Sequence, residues 1–222
     1  MSSGAGVLAL DGPAGAGKST VARRCAQLLG LTVLDTGAMY RAVTIACLHS
    51  GVDLQDGAAC ARIGQSVAIV LEDDGRVFLD GRDVTAEVRT PEITATVSTV
   101  SAHAMVRDIM VRHQRLWAEH HGAGVVEGRD IGTVVFPAAR VKVFLVASNF
   151  ERARRRLNDE VEAGRTVNFD DLLADLERRD RIDSERVSSP LKPADDAVLI
   201  DTTGRSIDDV VDHIVSLYRA RS

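Results

Sequence analysis

Short apolar runs alternate along the chain with longer segments in which apolar residues recur every three or four positions. The apolar runs are predicted strands, and they cover residues 7–10, 31–35, 124–127, 141–146 and 197–201. The intervening segments, such as residues 20–29 with Val21, Cys25 and Leu28, have the spacing of amphipathic helices. Because strands alternate with helices, the pattern predicts an α/β fold in which helices cover both faces of a parallel sheet.

One segment interrupts this alternation with features of β-structure. Residues 67–71 and 77–79 form two short apolar runs, and Asp74-Gly75 between them is a hairpin signal. A second turn signal, Asp80-Gly81, follows the second run. We therefore predict a small β insertion at about residues 67–88, inside a subdomain that covers residues 37–104.

The clearest chemical motif follows the first predicted strand. Residues 12–19 fit the phosphate-binding pattern G-x-x-x-x-G-K-[ST] at every fixed position, and a strand and a helix flank them as that motif requires. Its glycines let backbone N–H groups converge on a phosphate, and the start of the helix adds its positive dipole end. We expect Lys18 to reach the β- and γ-phosphates and the Ser19 hydroxyl to hold Mg²⁺. The predicted ATP-binding residues are Gly12, Pro13, Ala14, Gly15, Ala16, Gly17, Lys18, Ser19 and Thr20.

Polar residues also follow two other predicted strands. Thr36, Tyr40 and Arg41 come after residues 31–35, and Arg129 and Asp130 come after residues 124–127. Because the carboxyl ends of parallel strands border the ligand crevice, these side chains lie where a second substrate would bind. A helix start with a surface arginine, and a polar turn with a local ion pair, are the alternative interpretations of the two stretches.

An arginine-rich region covers residues 152–186, where two helices are predicted after the capping signals at Ser148 and Asn168. Within it, Arg179, Asp183 and Arg186 are spaced i, i+4, i+7 and share one helical face. The region is either an exposed pair of helices linked by ion pairs, or a lid whose arginines close over transferring phosphates. The spacing alone leaves both possibilities open.

Composition narrows the range of functions. The 222 residues suit one α/β domain with insertions, and 45% hydrophobic residues allow a sizeable core. A net charge of −5 makes a general nucleic-acid binder unexpected, and no stretch has the apolar length of a membrane span. Cys25, Cys47 and Cys60 are scattered without metal-binding spacing, as expected in a reducing compartment. We therefore expect a cytoplasmic protein without nucleic-acid or membrane partners, and a monomer.

Four motifs taken in order over nearly the whole chain resemble the bacterial cytidylate kinase family. They are the phosphate loop at residues 12–19, L-D-T-G-A-M-Y-R at 34–41, E-G-R-D-I-G-T-V-V-F-P at 127–137, and R-V-S-S-P-L at 186–191. The third motif is highly specific, whereas the phosphate loop alone is not. The resemblance implies transfer of the γ-phosphoryl group of ATP, with Mg²⁺, to CMP or dCMP.

The resemblance also implies a phosphate-loop nucleoside monophosphate kinase fold with three parts. Residues 1–36, 105–150 and 187–222 form the core, residues 37–104 the acceptor-binding domain with its β insertion, and residues 151–186 a short arginine-rich lid with flanking helices. The implied catalytic residues are Lys18, Arg129 and Arg179. The implied CMP-binding residues are Thr36, Tyr40, Arg41, Ser98, Arg107, Arg129, Asp130, Arg179, Asp183 and Arg186.

Within that set, the resemblance assigns the cytosine ring to Ser98, Arg107 and Asp130. The assignment is chemically reasonable, because Asp130 can accept from the cytosine amino group while the other two donate to its N3 and O2 side. Uracil would turn its O4 acceptor toward the Asp130 carboxylate, and the site should reject it. Arg41, Arg129 and Arg186 match contacts to the acceptor phosphate, and Arg179 and Asp183 match contacts to sugar and phosphate. Thr36 stands where the family usually has serine.

Two alternatives remain at this point. One is another small-molecule or nucleoside monophosphate kinase of the same fold. The more distant one is a GTPase-like switch or an ATP-binding module, but the guanine-reading sequence N-K-x-D is absent from the chain. The sequence D-x-x-G occurs only at residues 201–204, after the last predicted strand, which is the wrong place for a switch.

Overall fold

The structure is a computed structural model, and it describes residues 4–221. The strands are β1 (Val7–Asp11), β2 (Val33–Asp35), β3 (Ile69–Leu71), β4 (Val77–Leu79), β5 (Arg82–Asp83), β6 (Gly124–Gly128), β7 (Val141–Val146) and β8 (Val198–Asp201). The helices are α1 (Lys18–Leu29), α2 (Thr36–His49), α3 (Gly57–Ser66), α4 (Pro91–Ala102), α5 (Ala104–His121), α6 (Asn149–Glu162), α7 (Phe169–Glu185) and α8 (Ile207–Ala220). A short 3₁₀ turn lies at Glu87–Arg89 and a π-helical turn at Ile131–Val135.

Five strands form the predicted parallel sheet, in the order β2-β6-β1-β7-β8. The central strand β1 is buried along its whole length, and its first four residues are apolar, as expected when helices cover both faces of the sheet. The register pairs Asp11 of β1 with Gly128 of β6, and Asp35 of β2 with Glu127. The acidic ends of three neighbouring strands therefore meet at the carboxyl edge of the sheet.

Two apolar layers hold the helices against this sheet. On one face, Met39 and Val43 of α2 pack with Met110 of α5 and with Phe136. On the other, Val21 and Cys25 of α1 pack with side chains of α8. The helix starts are fixed locally: the Asp35 side chain accepts a hydrogen bond from the Ala38 amide, and the Ser148 hydroxyl accepts one from the Glu151 amide.

The β insertion forms a separate three-stranded antiparallel sheet in the order β3-β4-β5. Its hairpin turns at the predicted Asp74-Gly75, where Gly75 has a φ of 88°. Val77 and Leu79 pack against Ala42 and Ile45 of α2, which forms a third apolar cluster. The insertion thus rests on the helix that starts at the carboxyl end of β2.

Within residues 4–221, no helix combines the length and the apolar character that crossing a bilayer requires.

Candidate active site

The phosphate loop lies between β1 and α1, as predicted. Gly12 has a φ of 147°, and a Cβ there would meet the Leu145 carbonyl oxygen at 2.2 Å, so neither its conformation nor its space admits a side chain. Gly17 precedes α1 with a φ of 92°. These two positions let the chain turn from the strand into the helix, as a phosphate loop requires.

Lys18 begins α1 and is buried, with 7% of its surface exposed. Its Nζ donates hydrogen bonds of 2.8 Å to the carbonyl oxygens of Gly12 and Pro13. Burial and the charge of Arg129 lower the pKa of Lys18 to about 7, against the opposing effect of the Glu127 carboxylate. The amine is therefore held by the loop itself and titrates close to neutrality.

Ser19, the predicted magnesium ligand, lies beside an acidic residue that the sequence analysis left without a role. Its hydroxyl donates a 2.9 Å hydrogen bond to Oε2 of Glu127, at the end of β6. Burial and the nearby Asp35 carboxylate raise the pKa of Glu127 to about 7, while Lys18 opposes that shift. The sequence could have indicated Glu127 by its position alone, because it precedes Gly128-Arg129-Asp130 at the carboxyl end of a buried strand.

Arg107 and Asp130, both predicted to read the base, form a buried ion pair. Arg107 Nη2 lies 2.5 Å from Oδ2 of Asp130, and its Nη1 donates to the Ser101 carbonyl oxygen at 3.2 Å. The guanidinium carbon lies 5.2 Å from the centre of the Tyr40 ring, within the range of a cation–π contact. Ser98 is buried one helical turn before Ser101 on α4. The structure thus brings together residues from α2, α5 and the loop after β6, with α4 alongside.

Several buried polar atoms around this ion pair have no hydrogen-bond partner among the described residues. They are Arg107 Nε, the Tyr40 hydroxyl, and both polar atoms of the Gln114 side chain. Gln114 is 1% exposed and lies on α5 two turns after Arg107, and it is close enough to the Tyr40 hydroxyl to affect its pKa. The Tyr40 hydroxyl and the Gln114 side chain are close enough to pair with each other, whereas Arg107 Nε is a buried donor with no such neighbour among the described residues. Since buried polar groups are normally paired, this cluster is a candidate position for a polar ligand. The sequence analysis did not single out Gln114.

A second cluster lies on the predicted face of α7, where Asp183 joins two arginines. Arg129 Nε donates to Oδ2 of Asp183 at 2.9 Å, and Arg186 Nη1 lies 3.6 Å from Oδ1. Although burial alone would raise it, the pKa of Asp183 is held below its usual range by Arg129, Arg186 and Arg179. Residues 179, 183 and 186 therefore face the interior of the protein rather than solvent.

Arg179 and Arg41 add further positive charge to this cluster. Arg179 is buried, and Arg41 donates to the Val88 carbonyl oxygen and the Thr94 hydroxyl. Within residues 4–221, neither guanidinium forms an ion pair. Burial, together with the charge of Arg179, lowers the pKa of Arg41 to about 10. Thr36 is also buried, and its hydroxyl donates to the Glu127 carbonyl oxygen at 2.7 Å. Because its proton is used in this bond, the Thr36 hydroxyl can act toward a ligand only as an acceptor.

Most arginines of the α6–α7 region are paired with acids. Arg154 and Arg155 share Glu151, and Arg156 and Arg165 share Glu160. Arg152 differs, because it is buried, pairs with Asp180, and donates to the Ala14 carbonyl oxygen of the phosphate loop. The ion-paired helices of the first interpretation are present, while closure of a lid stays a prediction.

A phosphate loop at the carboxyl edge of a parallel sheet, with a cluster of arginines close to its lysine, is typical of phosphate-loop nucleotide kinases. The family model described as cytidylate kinase matches residues 8–220. Cytidylate kinase of Desulforamulus reducens is 50% identical over 211 residues, which cover 94% of this chain and 95% of that protein. Cytidylate kinase of Mycobacterium leprae is 50% identical over 218 residues, covering 97% and 96%. The chain belongs to the cytidylate kinase family.

A solved structure shares the fold without close sequence similarity. An uncharacterized protein from Eubacterium ventriosum matches with a TM-score of 0.56 at 11% identity, covering 96% of this chain and 98% of that one. At that identity the likeness concerns the fold alone. It agrees with the predicted arrangement of a parallel sheet flanked by helices.

Proposed function

We propose that the protein transfers the γ-phosphoryl group of ATP to CMP or dCMP, giving ADP and the corresponding diphosphate. The observation that carries this proposal is the buried Arg107–Asp130 pair. Asp130 follows Glu127 by three positions, just after β6, and β6 pairs with the strand that leads into the phosphate loop. The ion pair offers a fixed acceptor and a fixed donor to the edge of a base. Membership of the family and about half-identical relatives named cytidylate kinase support the same reaction.

The proposed chemistry needs positioning and charge neutralisation rather than a covalent nucleophile. Residues 12–20 hold the ATP phosphates, with Lys18 reaching the transferring group. Arg129 and Arg179 neutralise charge that builds up between donor and acceptor, and both already lie in the cluster around Asp183. Arg41 and Arg186 bind the acceptor phosphate, and Asp183 binds the sugar.

Mg²⁺ fits the residues around Ser19. Their side-chain donors are oxygens, namely the Ser19 hydroxyl and the Glu127 carboxylate 2.9 Å from it, and Mg²⁺ prefers one or two such ligands together with phosphates. When bound, the ion would neutralise negative charge on the phosphates of ATP. Ser19 and Glu127 are the residues that would hold it.

Base selection is proposed to rest on Asp130, Arg107 and Ser98, with Tyr40 supporting the Arg107 guanidinium. Asp130 accepts from the cytosine amino group, so uracil, which presents an acceptor there, is disfavoured. Residues 37–104 would act as the acceptor-binding domain and residues 151–186 as the lid. We further propose that the protein is a cytoplasmic monomer, in keeping with its three free, buried cysteines and its net charge of −5.

A coupled assay of ADP formation with CMP, dCMP, UMP and AMP tests the proposal. We expect kcat/KM for CMP or dCMP to exceed that for UMP and AMP by about 10² or more. Equal rates with all four would favour a different kinase of this fold. ATP hydrolysis unaffected by any acceptor would favour a switch or an ATP-binding module.

The Lys18 pKa leads to a prediction about proton uptake. Its amine has a pKa of about 7 in the free protein, so at about pH 8 most molecules carry a neutral amine. Bound triphosphate favours the charged form, so ATP binding at that pH should take up close to one proton. Calorimetry with ATP in two buffers of different ionisation enthalpy measures this uptake. A Lys18→Met variant should take up much less, and equal uptake by both proteins would contradict the assignment.

A further inference from the structure

We propose that Asp11 is a positioning residue that fixes the loop carrying Arg129 and Asp130 to the strand leading into the phosphate loop. This inference rests on the proposed function. Asp11 is the last residue of β1 and directly precedes Gly12. The residue is buried, with 4% of its surface exposed.

The contact that carries the proposal is a two-point hydrogen bond. The Ile131 amide donates to Oδ1 of Asp11 at 2.8 Å, and the Gly132 amide donates to Oδ2 at 2.7 Å. Hydrogen bonds to an ionised acceptor are short and strong, and two of them on one carboxylate fix orientation as well as distance. The two amides directly follow Asp130 in sequence, so their position sets where the Asp130 side chain starts.

The segment that Asp11 holds is an irregular one. Residues Ile131–Val135 form a π-helical turn, a conformation that is rare and less regular than an α-helix. Its far end is held from α5, where Arg115 donates to the carbonyl oxygens of Val134 and Val135 at 2.8 and 3.0 Å. Asp11 therefore holds the end next to Arg129 and Asp130, and Arg115 holds the other.

Burying a carboxylate here is unfavourable, which argues that the contact has a use. Burial raises the pKa of Asp11 to about 6, although the two backbone amides oppose that shift. An apolar residue at this position would avoid the desolvation, but it would leave the two amides without acceptors. The acid thus joins the strand that enters the ATP site to the loop that selects the acceptor.

The first test is Asp11→Asn, whose side-chain amide replaces one of the two acceptor oxygens with a donor that faces a backbone N–H. We expect kcat/KM for CMP to fall by about a hundredfold, since small misplacements of a reacting group have effects of that size. The CMP:UMP ratio of kcat/KM should fall by about tenfold, while KM for ATP stays within about twofold. Asp196→Asn is the control, because this exposed acid pairs with Lys142, whereas the Ile131 and Gly132 amides donate to Asp11.

A double-mutant cycle separates positioning from general structural support. If Asp11 acts through Asp130, adding Asp11→Asn to Asp130→Asn should leave the CMP:UMP ratio where the Asp130 variant alone sets it. A further tenfold fall in the double variant, or an Asp11→Asn protein that behaves like Asp196→Asn, would overturn the proposal. Failure of the proposed function would show differently, as a wild-type protein with no preference for CMP.

A measurement on the wild-type protein covers the case in which Asp11→Asn does not fold. Protonation of Asp11 removes an acceptor, so the amide protons of Ile131 and Gly132 should shift together in an NMR titration, with a midpoint near the Asp11 pKa of about 6. The other ionisable groups facing this contact are Lys18, Asp130 and Lys142. The titration should persist in Lys18→Met and in Lys142→Met. Amide shifts that stay constant from about pH 4 to pH 8 would overturn the two-point contact.

Discussion

Replacing Lys18 with methionine should lower kcat for CMP phosphorylation by about 10²–10³, which corresponds to about 3–4 kcal/mol of transition-state stabilisation. Methionine keeps an apolar stem of similar length and removes only the amine. In the free protein that amine donates to the Gly12 and Pro13 carbonyl oxygens, so it is already held at the phosphate loop. Because its charge acts mainly on the transferring phosphoryl group, kcat should fall more than KM for ATP rises.

Lys142→Met is the matched control for this prediction. Lys142 is as buried as Lys18, with 7% of its surface exposed, but its Nζ pairs with Asp196 rather than with the loop. We expect this variant to keep wild-type kcat within a factor of about three. Steady-state kinetics with saturating CMP measure both proteins. A Lys18→Met enzyme with near-normal kcat would show that the amine does not act on the transferring group.

The parts of the fold that depend on local sequence were predictable. The phosphate loop, the five parallel strands and the hairpin at Asp74-Gly75 each follow from patterns within a few residues, and the structure confirms them. The capping interaction of Ser148 is of the same kind. No helix was predicted over α4, whose sequence is rich in Thr, Ser and Val, although Thr90 and Pro91 at its start are a standard helix signal.

The pairing between distant residues could not be read from the sequence. Glu127 meets the Ser19 hydroxyl across 108 positions, and Asp11 meets Gly132 across 121. Each of these acids lies at a strand end, a position that the sequence does give, but the partner depends on the strand order β2-β6-β1. Gln114 is similar, since a glutamine in a helix is usually exposed and only the packed structure shows it buried next to Tyr40.

The candidate site contains buried charges whose arrangement serves binding better than stability. A buried ion pair such as Arg107–Asp130 seldom stabilises a fold more than well-packed apolar residues would. Arg41 and Arg179 are held without an ion-pairing acid in the part of the chain that the structure describes. We infer that a bound nucleoside monophosphate supplies the partners of these charged groups. Binding of CMP should therefore raise the melting temperature markedly.

Replacing Asp130 with asparagine should reverse the polarity of one recognition contact. The asparagine amide can donate to the O4 of uracil, whereas the native carboxylate can only accept. We expect the CMP:UMP ratio of kcat/KM to fall by about 10²–10³, partly because CMP is used less well and partly because UMP is used better. Removing the charge also leaves Arg107 without its buried partner, which should destabilise the fold by up to about 3–5 kcal/mol.

Asp183→Asn is the matched control, because it removes a second buried carboxylate from the same cleft but on the side of Arg129 and Arg186. It should lower activity with CMP and UMP to the same extent and leave their ratio unchanged. The ratio is the informative quantity, since an inactive or unfolded fraction of the enzyme lowers both rates equally and cancels. A selectivity that is unchanged in Asp130→Asn, or that falls as far in Asp183→Asn, would mean that Asp130 does not contact the base and that the pyrimidine is selected elsewhere in the pocket.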